Sequence, residues 1–77
     1  MTTFTDWLAS AKRTNDPEGD LVADMRRDRD RPPTFQSITA MRDYVRVKSG
    51  GDRAVLAAVP GAWRRYKLWL ARHSADA

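Results

Sequence analysis

The sequence predicts an all-α fold, a single domain over residues 1–77 formed by a compact bundle of five helices. Two observations predict it. Large apolar residues recur at steps of three and four in the second half of the chain, which is the period of an amphipathic helix. Aspartate, serine, proline and glycine stand where helix ends need them. With 77 residues and no cysteine, packing alone must hold the domain together, over an ordered core of about 3–72 with a frayed tail at 73–77.

Helix 1 is predicted close to the N-terminus, with Thr3 or Thr5 as its cap. Phe4 and Trp7 fall on one face of this helix, the side that we expect to pack against the rest of the bundle. The basic pair at 12–13 is expected to close the helix, and a short polar turn follows.

Helix 2 has the strongest start signal in the chain. Asp16 is expected as its N-cap and Pro17 at its first position, where the missing N–H is no loss and the fixed φ suits a helix. Two further acids in the first turn lie near the positive end of the helix dipole. The helix is predicted to run to about Asp28, with Leu21 on its buried side.

Gly19 is unusual inside the first turn of helix 2, because glycine there costs about 1 kcal/mol relative to alanine. Such a position is explained where another group needs the room of the missing side chain. We expect an aromatic ring, from Trp7 or Trp63, to lie over this glycine.

A charged segment at 28–34 ends in prolines and is predicted to be a loop, because proline does not fit inside a helix. Ser37 then caps helix 3, whose apolar residues include Tyr44 at helical spacing. Gly50 and Gly51 are expected to end that helix.

Asp52 is expected to cap a short helix 4. A break or kink near Val59 separates it from helix 5, because proline is tolerated in the first turn of a helix and not in its interior. This places Pro60 at the first position of helix 5, which is predicted to reach about Arg72.

The stretch 55–70 is the expected central pillar of the bundle. It contains Trp63 and Tyr66, which we expect to be interior contacts shared by several helices. Leu68 and Trp69 lie off its apolar stripe, and their partial exposure would suit a contact with protein better than one with DNA.

Charge is distributed unevenly along the chain, whose net charge is +4. Residues 1–30 carry five basic and seven acidic side chains, whereas residues 31–77 carry nine basic and three acidic ones. Such polarity can steer a nucleic acid or an acidic partner, and it can equally join copies of the chain head to tail.

Basic residues of helices 3, 4 and 5 form the candidate binding surface. Two interpretations stay open: solvated helix faces, or a converging patch that neutralises several phosphates without reading sequence. The Gly50-Gly51 turn could also offer N–H groups to a phosphate, but the acidic Asp52 beside it favours a plain helix C-cap. The candidate residues are Arg42, Arg46, Lys48, Arg53, Arg64 and Arg65.

Nothing in the sequence predicts catalysis, a metal, a cofactor or a small-molecule substrate. Asp20, Asp24 and Asp28 recur at steps of four, but the arginines three positions after Asp24 and after Asp28 favour a solvated, salt-bridged face. His73 is the only histidine and lies in the predicted frayed tail, so a catalytic triad has no base to use. No stretch has the roughly eighteen apolar residues of a membrane span and no secretory signal stands at the N-terminus, so we expect a soluble cytoplasmic protein.

A set of short motifs spans about residues 4–66. It comprises Phe4, Trp7-Leu8, Asp16-Pro17, Gly19-Asp20-Leu21, Asp24, Arg27-Asp28, Pro32-Pro33, Tyr44, Ala62-Trp63 and Tyr66. In order and spacing this set resembles the bacterial YozE-like family, small proteins with a sterile-alpha-motif-like (SAM-like) helical bundle. The resemblance implies a SAM-like fold and no activity. This chain differs in the helix-breaking Pro60-Gly61 and in its more basic second half.

The leading functional hypothesis is a non-catalytic interaction module that binds another protein or associates with itself through charge-complementary surfaces. The resemblance supports it, since SAM-like domains often pair a mid-region with the start of the end helix. The alternative hypothesis is binding of a nucleic-acid (DNA) backbone through the basic surface of helices 3 and 5.

Overall fold

The structure, a computed structural model, describes residues 3–12 and 14–74. All of its regular elements within these ranges are helical, which confirms the all-α class. In chain order they are α1 (Phe4–Ser10), α2 (Pro17–Arg27), α3 (Ile38–Ser49), α4 (Arg53–Ala57) and α5 (Val59–Ser74). The expected bundle of five helices needs correction. The segment α4 has only five residues and a single residue separates it from α5, so the bundle consists of four helices with α4 as a short lead-in to the last.

The predicted caps begin the helices. Of the two candidates for α1, Thr3 is the cap and Thr5 is not: the Thr3 hydroxyl accepts from the N–H of Asp6, whose carboxylate accepts from the N–H of Thr3 at 2.9 Å. This reciprocal pair is a capping box. The other three caps each accept at least one backbone N–H group, and they are Asp16, Ser37 and Asp52.

Three helix ends differ from expectation, and the first two are the end of α1 and the start of α5. Helix α1 ends at Ser10, before the predicted basic pair, because Ala11 already has an extended backbone (φ −65°, ψ 132°). Arg13 lies outside the described residues. Helix α5 begins at Val59, so Pro60 is its second residue rather than its first, still within the turn where the absent N–H costs nothing.

The C-terminal end of α5 extends further than predicted. Residues His73 and Ser74, expected in a frayed tail, belong to the helix. The rest of that tail, 75–77, lies outside the described residues. Among the helices of the described ranges, none combines the length and the apolar character needed to cross a bilayer.

Phe4 is the centre of the core. Its side chain is completely buried, and its ring lies 4.9–5.2 Å, between centroids, from the rings of Trp7, Phe35 and Tyr66. Tyr66 is buried as expected, whereas Trp63 is only partly buried and packs on Tyr66 at the edge of the core. The aromatic cluster is therefore shared between α1, the segment before α3 and α5, and α5 alone is not the pillar.

The room at Gly19 is used by the backbone and not by a ring. A Cβ atom at this position would lie 1.8 Å from the carbonyl oxygen of Thr14, and its next nearest neighbours also belong to Thr14. Our expectation of Trp7 or Trp63 over this glycine is therefore wrong. The segment before α2 folds back over the first turn of this helix. Any residue larger than glycine at position 19 would clash with it.

Gly50 ends α3 as predicted. It adopts a left-handed backbone (φ 67°), and the N–H of Gly51 donates to the carbonyl of Arg46 at 3.0 Å. The N–H of Gly50 donates to the same carbonyl, so both bonds satisfy the Arg46 carbonyl at the helix end, as in a C-cap.

Candidate functional site

The six basic residues that the sequence singled out do not form one surface of unpaired charges. Three of them have carboxylate partners within the chain. Arg46 lies 3.5 Å from Asp43, one turn away on α3. Lys48, near the end of α3, lies 3.4 Å from Asp28 and 3.9 Å from Asp30. The third, on α5, has more partners than either.

Arg65 is held by the start of α2. Its guanidinium lies 2.8 Å from the carboxylate of Glu18 and 3.7 Å from that of Asp16, and it donates to the Thr14 hydroxyl at 3.2 Å. That hydroxyl donates to Asp16 at 2.7 Å. The hydroxyl, the N–H of Gly19 and the charge of Arg65 together lower the pKa of Asp16 below its ordinary value. Much of the positive charge that Arg65 could offer to a nucleic acid is therefore already neutralised within the chain.

Gly61 allows this contact between α2 and α5. A Cβ atom at position 61 would lie 1.8 Å from a carboxylate oxygen of Glu18, so any larger residue would push Glu18 away. The carboxylate passes over the start of α5 to reach Arg65. Part of the charge difference between the two halves of the sequence is thus neutralised inside one molecule.

The remaining three candidates are Arg42 on α3, Arg53 on α4 and Arg64 on α5. All three are exposed, and within the described residues none of them forms an ion pair. The charge available to a phosphate backbone from the predicted set is therefore about half of what the sequence suggested.

The aspartate face of α2 is salt-bridged only in part as predicted. Asp24 pairs with Arg27 at 2.6 Å. Arg31 does not pair with Asp28; its guanidinium donates instead to the carbonyl of Met25 at 3.0 Å. Over residues 3–12 and 14–74, no group of three or more histidine, cysteine, aspartate or glutamate side chains could hold a metal ion.

A groove of about 370 Å³ opens between α2, α3 and the start of α4, and we call it the acidic groove. Apolar side chains and three carboxylates line it, with a single ammonium group. The lining residues are Leu21, Met25, Val45 and Val55, and the polar Asp24, Asp28, Tyr44, Lys48, Ser49 and Asp52. The excess of carboxylates favours cations there. Sequence reasoning found its aspartates on α2 but missed the groove, because its walls come from three helices.

One carboxylate of the groove is already occupied. The Tyr44 hydroxyl donates to Asp28, which also accepts the N–H of Asp30 at 2.9 Å and faces Lys48. These interactions, the tyrosine bond first, lower the pKa of Asp28. Burial, and then the same hydrogen bond, raise the pKa of Tyr44. At neutral pH the pair is therefore a carboxylate and a neutral phenol.

The other two carboxylates remain accessible. The side chain of Asp24 is 66% exposed, despite its pairing along the helix. Asp52 uses one oxygen, Oδ1, to accept the N–H groups of Ala54 and Val55. The hydroxyl oxygen of Ser49, also on the wall, is buried and has no hydrogen-bond partner among the described residues. Such a group costs about 1–3 kcal/mol until a donor reaches it.

A second surface lies on the outside of α5. Arg64, Leu68 and Arg72 are spaced by four residues, about 6 Å apart along the helix, and we call them the outer row. All three are exposed, and Leu68 is exposed to 57%. Trp69, the other residue expected off the stripe, is partly buried against the core.

Comparison with known proteins gives no family for this chain: no protein-family model, curated protein or solved structure matches it. The acidic groove and the outer row are the two surfaces of this chain that bear on its function.

Proposed function

We propose that this chain is a small non-catalytic interaction module that associates with further copies of itself through charge-complementary surfaces. In this proposal its helices follow the SAM-like arrangement that the resemblance to YozE-like proteins implies. One observation carries the proposal: the same molecule has a net-negative groove with an apolar floor and an exposed row of two arginines around a leucine.

The two surfaces are different and lie on different helices. The groove belongs to α2, α3 and α4, whereas the row belongs to α5. A contact between different surfaces of identical molecules is heterologous, so it continues from copy to copy until a ring closes or an open chain forms. The leucine supports a protein partner, since a phosphate backbone offers nothing to an exposed apolar side chain.

Light scattering of the purified protein tests the proposal. We expect the average mass to rise with protein concentration at low ionic strength and to fall as salt is added, because exposed charges are screened beyond about 10 Å at 0.1 M salt. A mass that stays at 8.8 kDa up to about 1 mM, where even a contact of about 4 kcal/mol would be populated, would refute it.

A pair of variants with equal charge tests the surface itself. Reversing Arg64 and Arg72 to glutamate should abolish the association. Reversing Arg42 and Arg53 changes the net charge by the same amount on α3 and α4, and it should have little effect. Equal loss in both variants would mean that net charge, and not the outer row, controls the association.

Binding of a nucleic-acid backbone is the second candidate. The observation in its favour is that three arginines of the predicted set form no ion pair within the described residues. Three phosphate contacts predict that log K falls with log salt at a slope of about 3, against about 5 for all six candidates. Duplex DNA would be shifted at low salt, and reversal of Arg42 and Arg53 would remove the shift. No shift at low salt excludes this candidate.

A further inference from the structure

We infer that the acidic groove receives an arginine of the outer row from a second copy, and that Lys48 of the same chain competes for the groove as an internal cation. The inference rests on the proposed function and assigns its receptor side. The sequence pattern does not predict this role, since by its charge Lys48 belongs to the basic surface.

The groove matches the chemistry of an arginine that is followed by a leucine one turn away. Its apolar floor, with Leu21 and Val55, suits the aliphatic part of an arginine and a leucine side chain. Its accessible carboxylates, Asp24 and Asp52, suit a planar guanidinium, which binds carboxylates through two parallel N–H bonds. The buried and unpartnered Ser49 oxygen offers a further acceptor on the same wall.

The carboxylates can change partners at low cost. The pair between Asp24 and Arg27 joins side chains that are 66% and 76% exposed, and exposed pairs contribute about 0–1 kcal/mol. Asp52 uses Oδ1 for its cap, and its second oxygen has no partner among the described residues. A guanidinium can therefore bind without unfolding the start of α4.

A second copy is the occupant that the charges favour. The outer row places a cation, an apolar side chain and a cation about 6 Å apart on one ridge of a helix. Its Leu68 is one of the two large apolar residues that remain strongly exposed in the described part of the chain. The groove offers carboxylates beside an apolar floor, which is the complementary order of groups.

Lys48 already fills part of this role inside the free molecule. Its ammonium lies 3.4 Å from Asp28 and 3.9 Å from Asp30, and its side chain is 45% exposed. These distances describe a loose ion pair rather than a tight hydrogen bond. An incoming guanidinium meets one positive charge in the groove, and it binds more strongly when that charge is absent.

The decisive variant is Lys48→Gln. Sedimentation velocity of the full-length variant measures its self-association. We expect the dissociation constant for self-association to fall by about 3- to 10-fold, since one opposing charge in a partly screened site is worth up to about 1.4 kcal/mol. The matched control is Arg46→Gln, which removes the same charge from α3 outside the groove and should change little. Weaker association of Lys48→Gln would overturn the inference, because Lys48 would then be a contact to an acidic partner.

A second experiment tests the groove directly. Asp24→Asn combined with Asp52→Asn removes two charges while asparagine keeps the helix cap. This variant should not self-associate, nor should the chain with Arg64 and Arg72 reversed. A mixture of the two should form a discrete one-to-one complex, because each retains the surface that the other lacks. Circular dichroism of each variant checks that the helices are kept.

The failures are distinguishable. A wild-type chain that stays monomeric removes the proposed function together with this inference. The inference alone is removed if three results hold together. The wild-type chain associates and loses this association when Arg64 and Arg72 are reversed, the groove variant associates equally well, and Lys48→Gln shows no change.

Discussion

The two ends of α2 meet the basic half of the chain in opposite ways. At the N-terminal end, Asp16 and Glu18 are closed onto Arg65, with the guanidinium as near as 2.8 Å. At the C-terminal end, Asp28 faces Lys48 at 3.4 Å beside an open groove of about 370 Å³. Acidic residues of the first half face basic residues of the second half at both ends. Only the N-terminal end is closed by this contact, and a groove remains open at the other.

The two ends of α2 differ because different residues face their carboxylates. At the closed end, Gly61 has no side chain, so Glu18 crosses α5 to its partner. At the open end, Tyr44 and Lys48 hold Asp28 at the wall, and Asp24 remains mostly in solvent. Charge complementarity between segments therefore stabilises one molecule where the backbones come close, and it leaves a surface for a partner where they do not.

The largest expected effect concerns the closed end. Gly19→Ala should lower the free energy of unfolding by about 1–3 kcal/mol, because its Cβ would meet the Thr14 carbonyl and the backbone would have to move. Glycine to alanine inside a helix normally stabilises by about 0.5–1 kcal/mol. Urea denaturation measures the sign, and a stabilised variant would show that the first turn of α2 is not covered.

The next largest effect is expected at Arg65, and Lys48 is its matched comparison. Arg65→Gln should lower the free energy of unfolding by about 1 kcal/mol, since the side chain has three partners but is still 40% exposed. Lys48→Gln should cost less than about 0.5 kcal/mol, as expected for a looser, exposed pair. Equal losses, measured by urea denaturation of both variants, would contradict the distinction between a closed and an open end.

Lowering the pH should weaken the contacts of Asp16 and Asp28 at the two ends of α2. The pKa values of Asp16 and Asp28 are lowered in the folded chain, so their stabilisation is present above the unfolded value of about 3.9 and is lost as pH falls through the lower folded values. The urea midpoint should therefore drop between about pH 5 and pH 2. Asp28→Asn and Asp16→Asn should each make this drop shallower, and an unchanged profile in both would show that neither carboxylate is engaged.

The smallest expected effect is at Gly61. Gly61→Ala should leave the free energy of unfolding within about 0.5 kcal/mol of wild type, because a gain of up to about 1 kcal/mol in helix propensity offsets the displaced pair between Glu18 and Arg65. In a Glu18→Ala background the same substitution should stabilise by about 0.5–1 kcal/mol, since no carboxylate remains to be displaced. A large loss in both backgrounds would place another group over Gly61.

Helix caps were the most predictable part of the fold. Asp16, Ser37 and Asp52 cap the helices that they were expected to cap, and Gly50 ends α3. The site was less predictable. Arg65 was expected on an open basic surface, but its partner Thr14 lies 51 positions away, and no spacing rule connects them.

The sequence by itself determined the helical class and the places where helices begin, because a cap depends on groups within three or four residues of one another. Only the tertiary structure decided which charges are neutralised inside the molecule, why Phe4 and not Trp63 is at the centre of the core, and where a groove remains open. These depend on how distant segments approach in space, and that distance is set by the packing of whole helices rather than by any local pattern.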